Sequence, residues 1–296
     1  MKVNKMPFLS PLRYPGGKRR LVNFIKTVIQ ENGFLGGEYV EPYAGGASIG
    51  LALLIDGYVR RIHINDLDRS IYAFWYSVLR RTEELCQLIQ RIPITMDEWY
   101  RQRKIQDKSK QSPLLELGLS TFFLNRTNRS GIISGGVIGG KDQSGDWKLD
   151  CRFNKTELIE RIRKIAQYKR QISLYNEEAS VFIKTVLPRI EQDSFVYFDP
   201  PYYVKGQQSL YVNFYEPKDH ESMATQISRL RQRWIISYDD VPETRLLYKD
   251  YRSLSYKLHY TAQDKYKGEE ILFFCDDIII PKTENPQQIK APRLTN

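Results

Sequence analysis

The first third of the chain alternates between helical and strand-like spacing of its hydrophobic residues. Residues 18–30 carry apolar side chains at intervals of three and four from Leu21 to Val28, which predicts a helix with one apolar face. Strand-like residues at 38–43 then run into a glycine turn and an apolar helix. A second strand is predicted at 61–66, where it ends in an acid and precedes an aromatic helix. This order is that of a nucleotide-binding βαβ unit, so we predict an α/β fold.

The middle of the chain interrupts this alternation. The pattern from about 80 to 124 is helical and basic, and the glycine-rich stretch at 125–145 predicts a hairpin or a mobile loop. A basic helix is predicted at 156–170, and strand patterns resume at 172–175, 195–198, 234–238 and 271–280. The sequence therefore predicts an open sheet whose main domain comes in two parts, 8–78 and 155–281, with an insertion at 79–154 and a disordered tail at 282–296.

Composition narrows the class of protein. The 296 residues, 41% of them hydrophobic, can bury a substantial core, and no stretch approaches the ~20 apolar residues that span a bilayer. Lys and Arg outnumber Asp and Glu by 45 to 35, and the net charge of +10 favours polyanionic partners such as nucleic acid. The cysteines Cys86, Cys151 and Cys275 are odd in number, widely separated and without metal-ligand spacing. We therefore expect a cytoplasmic or nucleoid-associated protein with no metal and no membrane partner.

The most specific motif, Asp199-Pro200-Pro201-Tyr202, directly follows the strand predicted at 195–198. Ligands of open α/β sheets bind beyond the carboxyl ends of the strands, so these residues stand at the expected site. An adenine amine is a poor nucleophile because its lone pair is delocalised into the ring. The Asp199 carboxylate and the Pro200 carbonyl are acceptors for its two hydrogens, which favours the pyramidal nitrogen that attacks. The prolines pin the backbone, and Tyr202 offers a ring on which the base can stack.

Two upstream motifs provide a place for a nucleotide-like methyl donor. Residues 41–48 follow a strand and open a helix, and their glycines permit close approach of the backbone to a ligand. Asp66 ends the next strand, at the spacing where an acid binds ribose hydroxyls in dinucleotide folds. A tight turn and a helix N-cap explain the same residues without a ligand. At 13–19 the glycines lack the spacing of a P-loop, and Lys18 at a helix start is disfavoured by the helix dipole unless an anion lies nearby.

Taken together, these motifs resemble the Dam-type adenine-specific DNA methyltransferases, in which the donor motif precedes the catalytic one. The resemblance covers most of the chain, from about 12 to 280. Its landmarks are Arg-Tyr-Pro-Gly-Gly-Lys at 13–18, Glu-Pro-Tyr-Ala-Gly-Gly-Ala-Ser at 41–48, Asn-Asp at 65–66, Phe-Phe-Leu-Asn-Arg-Thr at 122–127, Asp-Pro-Pro-Tyr at 199–202 and Ser-Tyr-Asp-Asp at 237–240.

The resemblance implies a fold, a reaction and a set of site residues. The fold is a Rossmann-like S-adenosylmethionine-dependent methyltransferase sheet with an inserted, mainly helical target-recognition domain. The reaction is transfer of a methyl group from S-adenosylmethionine to the N6 amine of an adenine flipped out of double-stranded DNA. Asp199, Pro200, Pro201 and Tyr202 would hold the adenine. The donor would be held by Tyr14, Gly16, Gly17, Lys18, Glu41, Pro42, Tyr43, Gly45, Asp66 and Glu178, the last in place of an acid found in relatives.

Rotating a base out of the stack costs a few kcal/mol, which contacts to the DNA backbone would offset. The first candidates for these contacts are Arg126 and Arg129 near the glycine-rich loop, followed by Arg152 and Lys155 after it. Further basic candidates are Lys141 in the loop and, on the helical insertion, Arg101, Arg103, Lys104, Lys108 and Lys110. The amides of Asn125 and Asn128 could read adenine edges, although asparagine in a glycine-rich loop is often a turn residue. The loop at 128–148 departs from the arginine- and aromatic-rich loop with which Dam proper reads GATC, so no target sequence is implied.

Other acceptors and a silent protein are the alternatives. Cytosine C5 methylation needs a cysteine nucleophile, usually after proline, and Cys86, Cys151 and Cys275 follow Leu, Asp and Phe. Cytosine N4 transfer needs acceptors like those of Asp199-Pro200, although related enzymes more often begin the motif with serine. Methylation of RNA or of protein glutamine is disfavoured because relatives of that kind usually have asparagine at that position. A catalytically silent DNA-binding subunit would carry damaged motifs, and a cognate restriction endonuclease is a further predicted partner.

Overall fold

The computed structural model describes residues 9–14, 18–204, 215–257 and 268–292, and within them seven strands form one sheet. The strands are β1 (Glu38–Glu41), β2 (Arg61–Asn65), β3 (Ile172–Tyr175), β4 (Phe195–Phe198), β5 (Arg233–Asp239), β6 (Arg252–Lys257) and β7 (Glu269–Phe274). Their order across the sheet is β3-β2-β1-β4-β5-β7-β6. Strands β1 to β5 run parallel, and β7 runs antiparallel to both of its neighbours.

The strand order reverses between β1 and β4. From β1 the chain proceeds outward through β2 to the edge strand β3, and from β4 it proceeds the other way to β5. In an open parallel sheet a crevice opens at such a reversal, outside the carboxyl ends of the two strands. The ends of β1 at Glu41 and of β4 at Phe198 therefore mark the expected site.

Helices cover both faces of the sheet. They are α1 (Val22–Glu31), α2 (Ser48–Ile55), α3 (Arg69–Arg80), α4 (Thr82–Arg91), α5 (Met96–Asp107), α6 (Leu114–Thr127), α7 (Lys155–Ala166), α8 (Ala179–Thr185), α9 (Pro217–Ile227) and α10 (Pro242–Leu247). Because side chains alternate along a strand, Tyr39 and Phe195 pack with α1, α2 and α3, while Val40 and Val196 pack with α8 and α9 on the other face. The sheet is thus buried on both sides, which confirms the predicted α/β class.

The segment between α3 and α7 is helical, as predicted. Helix α6 packs along α3, where Phe74 and Phe122 stack with ring centroids 5.8 Å apart. The predicted hairpin after α6 is wrong within the described residues, because only a single bridge pairs Asn128 with Val137. Glycines with positive φ fold this stretch into successive turns instead. None of the helices described here is long and apolar enough to cross a membrane.

The last part of the chain, from β6 onward, differs most from the prediction. Strand β7 ends at Phe274, whereas the strand was predicted to continue to 280. Strand β6, which the hydrophobic pattern did not reveal, completes the edge of the sheet. Residues 282–292 pack against the body, so a disordered tail is the wrong description for them. The Asn23 side chain donates to the Ile289 carbonyl at 3.0 Å, and the Tyr58 hydroxyl donates to the Pro292 carbonyl at 2.9 Å.

Candidate active site

Glu41 is a buried acid at the carboxyl end of β1. Its Oε1 accepts hydrogen bonds from the Tyr39 hydroxyl and the Gly50 amide, both at 3.0 Å, whereas Oε2 has no partner among the described residues. Burial raises the pKa of Glu41 to about 7, although the bonds from Gly50 and Tyr39 oppose the rise. An unsatisfied carboxylate oxygen lining a cleft favours a ligand that carries positive charge or donates a hydrogen bond.

The turn that follows β1 is shaped by Tyr14 and Asp66. Gly45 has φ +46°, and an added Cβ would meet the Tyr14 ring at 2.7 Å, so the space that this glycine leaves is filled by the ring. Asp66 Oδ2 accepts the Gly45 amide at 2.8 Å, and Asp66 Oδ1 accepts the Asp68 amide at 2.9 Å. Burial, with a contribution from Asp68, raises the pKa of Asp66 to about 7. The backbone carbonyl of Gly45 accepts from Trp75 Nε1 at 2.9 Å, which fixes the other side of the turn.

Asn65 joins the loops that follow three neighbouring strands. Its side-chain amide donates to the Pro42 carbonyl after β1 and to the Glu177 carbonyl after β3, both at 3.0 Å. Its Oδ1 accepts the Glu177 amide at 2.9 Å. Asn65 is 1% exposed, so these bonds are shielded from water and hold one rim of the cleft in a fixed shape.

Asp199 stands at the carboxyl end of β4, opposite Glu41. Its Oδ1 contacts Lys18 Nζ at 2.9 Å and accepts the Ser237 hydroxyl at 2.8 Å. Burial raises the pKa of Asp199, and Lys18 and Ser237 oppose that rise. Lys18 is itself 9% exposed. The anion that the sequence required near this lysine is therefore a carboxylate of the protein.

Tyr202 is held by Lys18 and by Glu270, an acid on β7 that the sequence did not indicate. The Tyr202 hydroxyl donates to Glu270 Oε1 at 2.6 Å, and Lys18 Nζ lies 4.7 Å from the centre of the Tyr202 ring. Glu270 Oε2 accepts the Tyr256 hydroxyl, and Glu270 Oε1 lies 3.7 Å from Lys18 Nζ. The signal that could have found Glu270 is an acid beside the apolar run 271–274 of the last strand.

Asp199, Pro200, Pro201 and Tyr202 are called the tetrad below. The loop that follows the tetrad is held in place by β5. Asp239 is 3% exposed, and its two carboxylate oxygens accept the backbone amides of Tyr203 and Val204, each at 2.9 Å. Charged acceptors make strong hydrogen bonds in a buried setting, so this contact fixes the backbone directly after Tyr202. Ser237 and Asp239 are the parts of the 237–240 motif that act on the tetrad.

These groups surround one cleft of about 1060 Å³, including its open mouth. The lining contains Tyr14, Lys18, Glu41, Pro42, Tyr43, Gly45, Asp66, Asp199, Pro200 and Pro201 from the predicted set, together with Asn65, Leu67, Asp68, Glu177, Tyr197 and Tyr215. The hydroxyls of Tyr43 and Tyr215, both in this lining, are hydrogen-bonded to each other at 2.7 Å. The structure thus brings together the donor and acceptor motifs that the sequence separates. Gly16 and Gly17 lie outside the described residues.

Glu178 has a different position from the one predicted. It is the N-cap of α8, where its Oε2 accepts the amides of Ser180 at 2.9 Å and Val181 at 3.2 Å. The residue of this loop that lines the cleft is its exposed neighbour Glu177. A helix N-terminus leaves amides without partners, and an acid there satisfies them, so capping accounts for Glu178.

The two asparagines predicted to read bases are buried. Asn125 accepts the Arg13 amide at 2.7 Å and donates to the Arg13 and Gly131 carbonyls. Asn128 accepts from Trp99 Nε1 at 2.7 Å and donates to the carbonyls of residues 132 and 133. Because their amides are saturated by the protein, the structure corrects both assignments from base reading to fixing the fold of the insertion.

The predicted basic contacts fall into three environments. Arg126 and Arg152 line a second cleft, which shares Tyr14 and Ser48 with the first. Arg129 and Lys141 are exposed on the loop after α6. Lys155 differs from expectation, because its Nζ donates to the carbonyls of Gln90, at 3.0 Å, and Ile92 at the end of α4.

The lining of the cleft contains groups of the kinds that could hold S-adenosylmethionine. The open oxygen of Glu41 suits a cationic amine or sulfonium, Asp66 suits ribose hydroxyls, and Tyr14 and Leu67 offer apolar surface. No group of three His, Cys, Asp or Glu side chains within the described ranges is arranged to hold a metal ion.

Two solved structures align with most of this chain at TM-scores below 0.5. One is PH1948 of Pyrococcus horikoshii, described as a putative RNA methyltransferase: identity is 10%, with 92% of this chain and 88% of that chain covered, at a TM-score of 0.39. The other is the rRNA methyltransferase aviRa of Streptomyces viridochromogenes, at 11% identity, with 89% and 87% covered and a TM-score of 0.36. The sequence itself is more informative, because a family model matches residues 14–263. The chain belongs to the D12 class of N6 adenine-specific DNA methyltransferases.

Proposed function

We propose that this protein is a site-specific DNA-methyltransferase that transfers a methyl group from S-adenosylmethionine to N6 of an adenine everted from duplex DNA. The observation that carries the proposal is Asp199, fixed by Lys18 and Ser237 at the mouth of the cleft. Both contacts fall on Oδ1, and Oδ2 has no hydrogen-bond partner among the described residues. One carboxylate oxygen is thereby positioned by the protein while the other is left for the substrate.

Asp199 and Pro200 would act on the amine of the target base. Asp199 Oδ2 and the Pro200 carbonyl would accept its two hydrogens, which turns the nitrogen lone pair out of the ring plane. Proline has no amide hydrogen, so Pro200 and Pro201 bring no competing donor. Lys18 favours the ionised form of the buried Asp199, which can hold the N–H and take up the released proton as the new bond forms. The donor supplies an electrophilic methyl group on a sulfonium centre.

The residues around Glu41 would hold that donor. Glu41 Oε2 is the one acceptor of the cleft that is both buried and unsatisfied among the described side-chain atoms, so it suits the cationic part of the molecule. Asp66 already accepts two backbone amides, yet each carboxylate oxygen keeps a lone pair for a ribose hydroxyl. Tyr14, packed on Gly45, would contact the donor from the side of the glycine turn.

Tyr202 would stack on the everted base. Its ring has Lys18 over it and its hydroxyl is bound to Glu270, so its orientation is set before the base arrives. A ring that is already fixed loses little conformational entropy on binding. The insertion between α3 and α7 would contact the duplex as the target-recognition segment. A restriction endonuclease that recognises the same sequence belongs to this proposal as a companion protein.

The reaction is tested by incubating the protein with methyl-labelled donor and duplex DNA and digesting the product to nucleosides. Label in N6-methyl-2′-deoxyadenosine is the expected result. Label in N4-methylcytosine would show that the same acceptors serve cytosine, and no label would contradict the proposal. Sequencing methylated DNA from cells that express the protein would then give the recognition site.

The role of Asp199 is tested separately with Asp199→Ala. We expect loss of methyl transfer with donor binding largely preserved, because Asp199 acts at the acceptor nitrogen. Asp193→Ala is the matched control, since Asp193 is exposed before the opposite end of the same strand. Equal transfer by Asp199→Ala and the unaltered protein would refute the assignment.

A further inference from the structure

The cleft described above is called the donor cleft here. A second cleft, of about 2180 Å³ including its open mouth, lies beside it. Its walls come from the segment at 9–14, from α1, from the end of α6 and from the start of α7. Tyr14 and Ser48 line both clefts, so the two openings are neighbours. The basic cleft, as we call it, is far larger than a single bound ion requires.

The lining of the basic cleft is strongly cationic. It contains seven basic side chains against two acidic ones among the described residues. Both acids are engaged, because Asp56 pairs with Lys26 and Glu157 pairs with Arg161. The other basic members are Arg13, Arg19, Arg20, Arg126 and Arg152.

Arg126 is the most constrained of these cations. It is partly buried at the end of α6, and its Nε has no hydrogen-bond partner among the described residues. Burial, together with repulsion from Arg161 and Arg13, lowers the pKa of Arg126 to about 9. Burial also lowers the pKa of Arg13, with a contribution from Arg152. These guanidinium groups therefore repel one another in the free protein while remaining charged near neutral pH.

A phosphodiester chain fits this cleft better than other anions do. Guanidinium groups bind phosphate oxygens in a bidentate manner, and several of them in one cleft can contact successive phosphates of a nucleic acid strand. A nucleotide everted into the donor cleft rotates about its own backbone, so its flanking phosphates must lie just outside that cleft. The basic cleft occupies a neighbouring position.

We propose that the basic cleft binds the phosphates that flank the everted adenine, with Arg126 and Arg152 in direct contact with them. The proposal rests on the DNA-methylating function proposed above. It distinguishes these arginines from ordinary surface charges such as Lys169 and Arg170, which are exposed near the edge strand β3.

The test measures the affinity for labelled duplex DNA of mixed sequence over a range of salt concentrations. Each lost phosphate contact reduces the slope of log affinity against log salt by about one, and weakens binding about 8-fold at ~0.1 M salt. We expect this change for Arg126→Gln and for Arg152→Gln, whose exposed side chain can be shortened without opening the core. Arg170→Gln is the matched control and should retain the full slope.

Thermal unfolding provides the second measurement. Removing a cation from a repelling cluster should leave free Arg126→Gln as stable as the unaltered protein or more stable, whereas DNA should stabilise the unaltered protein more than the variant. Tripolyphosphate is the probe for a free anion. If it stabilises the protein while the DNA slopes of both variants stay unchanged, the cleft serves free anions and the proposal is overturned.

Methyl transfer and donor binding are measured in parallel. Normal transfer with unchanged slopes in Arg126→Gln and Arg152→Gln would overturn the assignment of the cleft alone. Reduced slopes in a protein that methylates no DNA would support the cleft as a DNA site and contradict the proposed function.

Discussion

At the scale of single residues, Lys18 links the donor motif to the acceptor motif. It begins a short 3-10 turn, where a positive charge opposes the helix dipole. Its contacts with Asp199 and Glu270 compensate for that position and for its burial. Removing either acid would leave a buried charge only partly balanced, which is the costly way to break such a pair. The charge on Asp199 therefore depends on Lys18 and Glu270, which lie far from it along the chain.

Glu270→Gln should impair the orientation of Tyr202. The acid accepts the hydroxyls of Tyr202 and Tyr256 and lies beside Lys18, so its loss weakens hydrogen bonds to a charged acceptor. Such bonds contribute about 1.5–3 kcal/mol, so kcat/KM for methyl transfer should fall about 10- to 100-fold. Donor affinity should stay within about twofold, since Glu270 does not line the donor cleft.

The matched control for Glu270 is its neighbour. Glu269→Gln changes a half-exposed acid on the same strand, and transfer should be unaffected. Titration calorimetry of the donor and steady-state kinetics of transfer separate the two effects. Equal losses in donor affinity and in transfer would assign Glu270 to the stability of the fold.

Donor binding should strengthen as pH rises through about 7. Burial raises the pKa of Glu41 to about 7, so the carboxylate is mostly protonated below that pH and cannot attract a cation. The same raised pKa means that folding favours the protonated form, so the stability of the donor-free protein should decline between the ordinary pKa of 4.5 and about 7. A bound donor favours the ionised form of Glu41, so the stabilisation that the donor adds to the protein should rise with pH over this range.

Ionisation of Glu41 should raise donor affinity about tenfold between about pH 6 and about pH 8. Asp66 titrates over the same range, because burial also raises its pKa to about 7, and it contributes a slope of its own. Calorimetry with Glu41→Gln should therefore show weaker binding and a shallower, but not flat, dependence on pH. An unaltered pH profile in that variant would exclude Glu41 as the group that senses the donor.

At the scale of elements, the turn between β1 and α2 depends on one glycine. Gly45→Ala places a Cβ within 2.7 Å of the Tyr14 ring, at a φ of +46°. A left-handed backbone and an overpacked contact together should lower the free energy of unfolding by about 2–4 kcal/mol. Gly46→Ala is the control, because its nearest contacts are at 3.4 Å and its φ is not left-handed. Denaturant unfolding and donor titration of both variants measure the difference.

The buried strands were predictable from the sequence. The exposed edge strand β6 and the turns after α6 were not. Strands β1, β2, β4 and β5 are almost entirely buried, so short runs with hydrophobic residues indicated them. Strand β6 was missed because Arg252–Lys257 is largely exposed at the sheet edge, and only Leu254 and Tyr256 in it pack against the core. The polar run after α6 looked like an exposed hairpin, yet Asn125 and Asn128 satisfy its backbone from inside.

The site was predictable where a motif and a strand end coincided. Glu41 is the last residue of a buried strand, and Asp66 and Asp199 directly follow two others. Parallel strands bring their carboxyl ends to one edge of the sheet. The partners Lys18 and Glu270 depend on contacts between distant parts of the chain, which spacing cannot give. The sequence suggested Glu178 as a donor-binding acid, and the structure shows a local role for it, because its side chain caps the helix that follows the strand.

At the scale of the whole molecule, one hydrophobic core joins the insertion to the sheet. The buried cluster contains Phe74 of α3 and Phe195 of β4 together with Phe122, Phe123 and Phe153 from the segment 79–154. An independent domain would have a separate core. Because the insertion shares the core of the sheet, the target-recognition role proposed for it would hold DNA in a fixed position relative to Asp199.

The protein should therefore unfold in a single transition. Brief deuterium labelling during a denaturant titration should give the same midpoint for peptides from α6 and from β4, because neither retains its packing without the other. Phe122→Ala removes a fully buried ring that stacks on Phe74, and should lower stability by about 3–5 kcal/mol and shift both midpoints equally. Leu246→Ala, at an exposed position, should shift neither. If α6 opened at lower denaturant than β4, the insertion would be an autonomous unit, and its positioning of DNA would have to come from binding instead of packing.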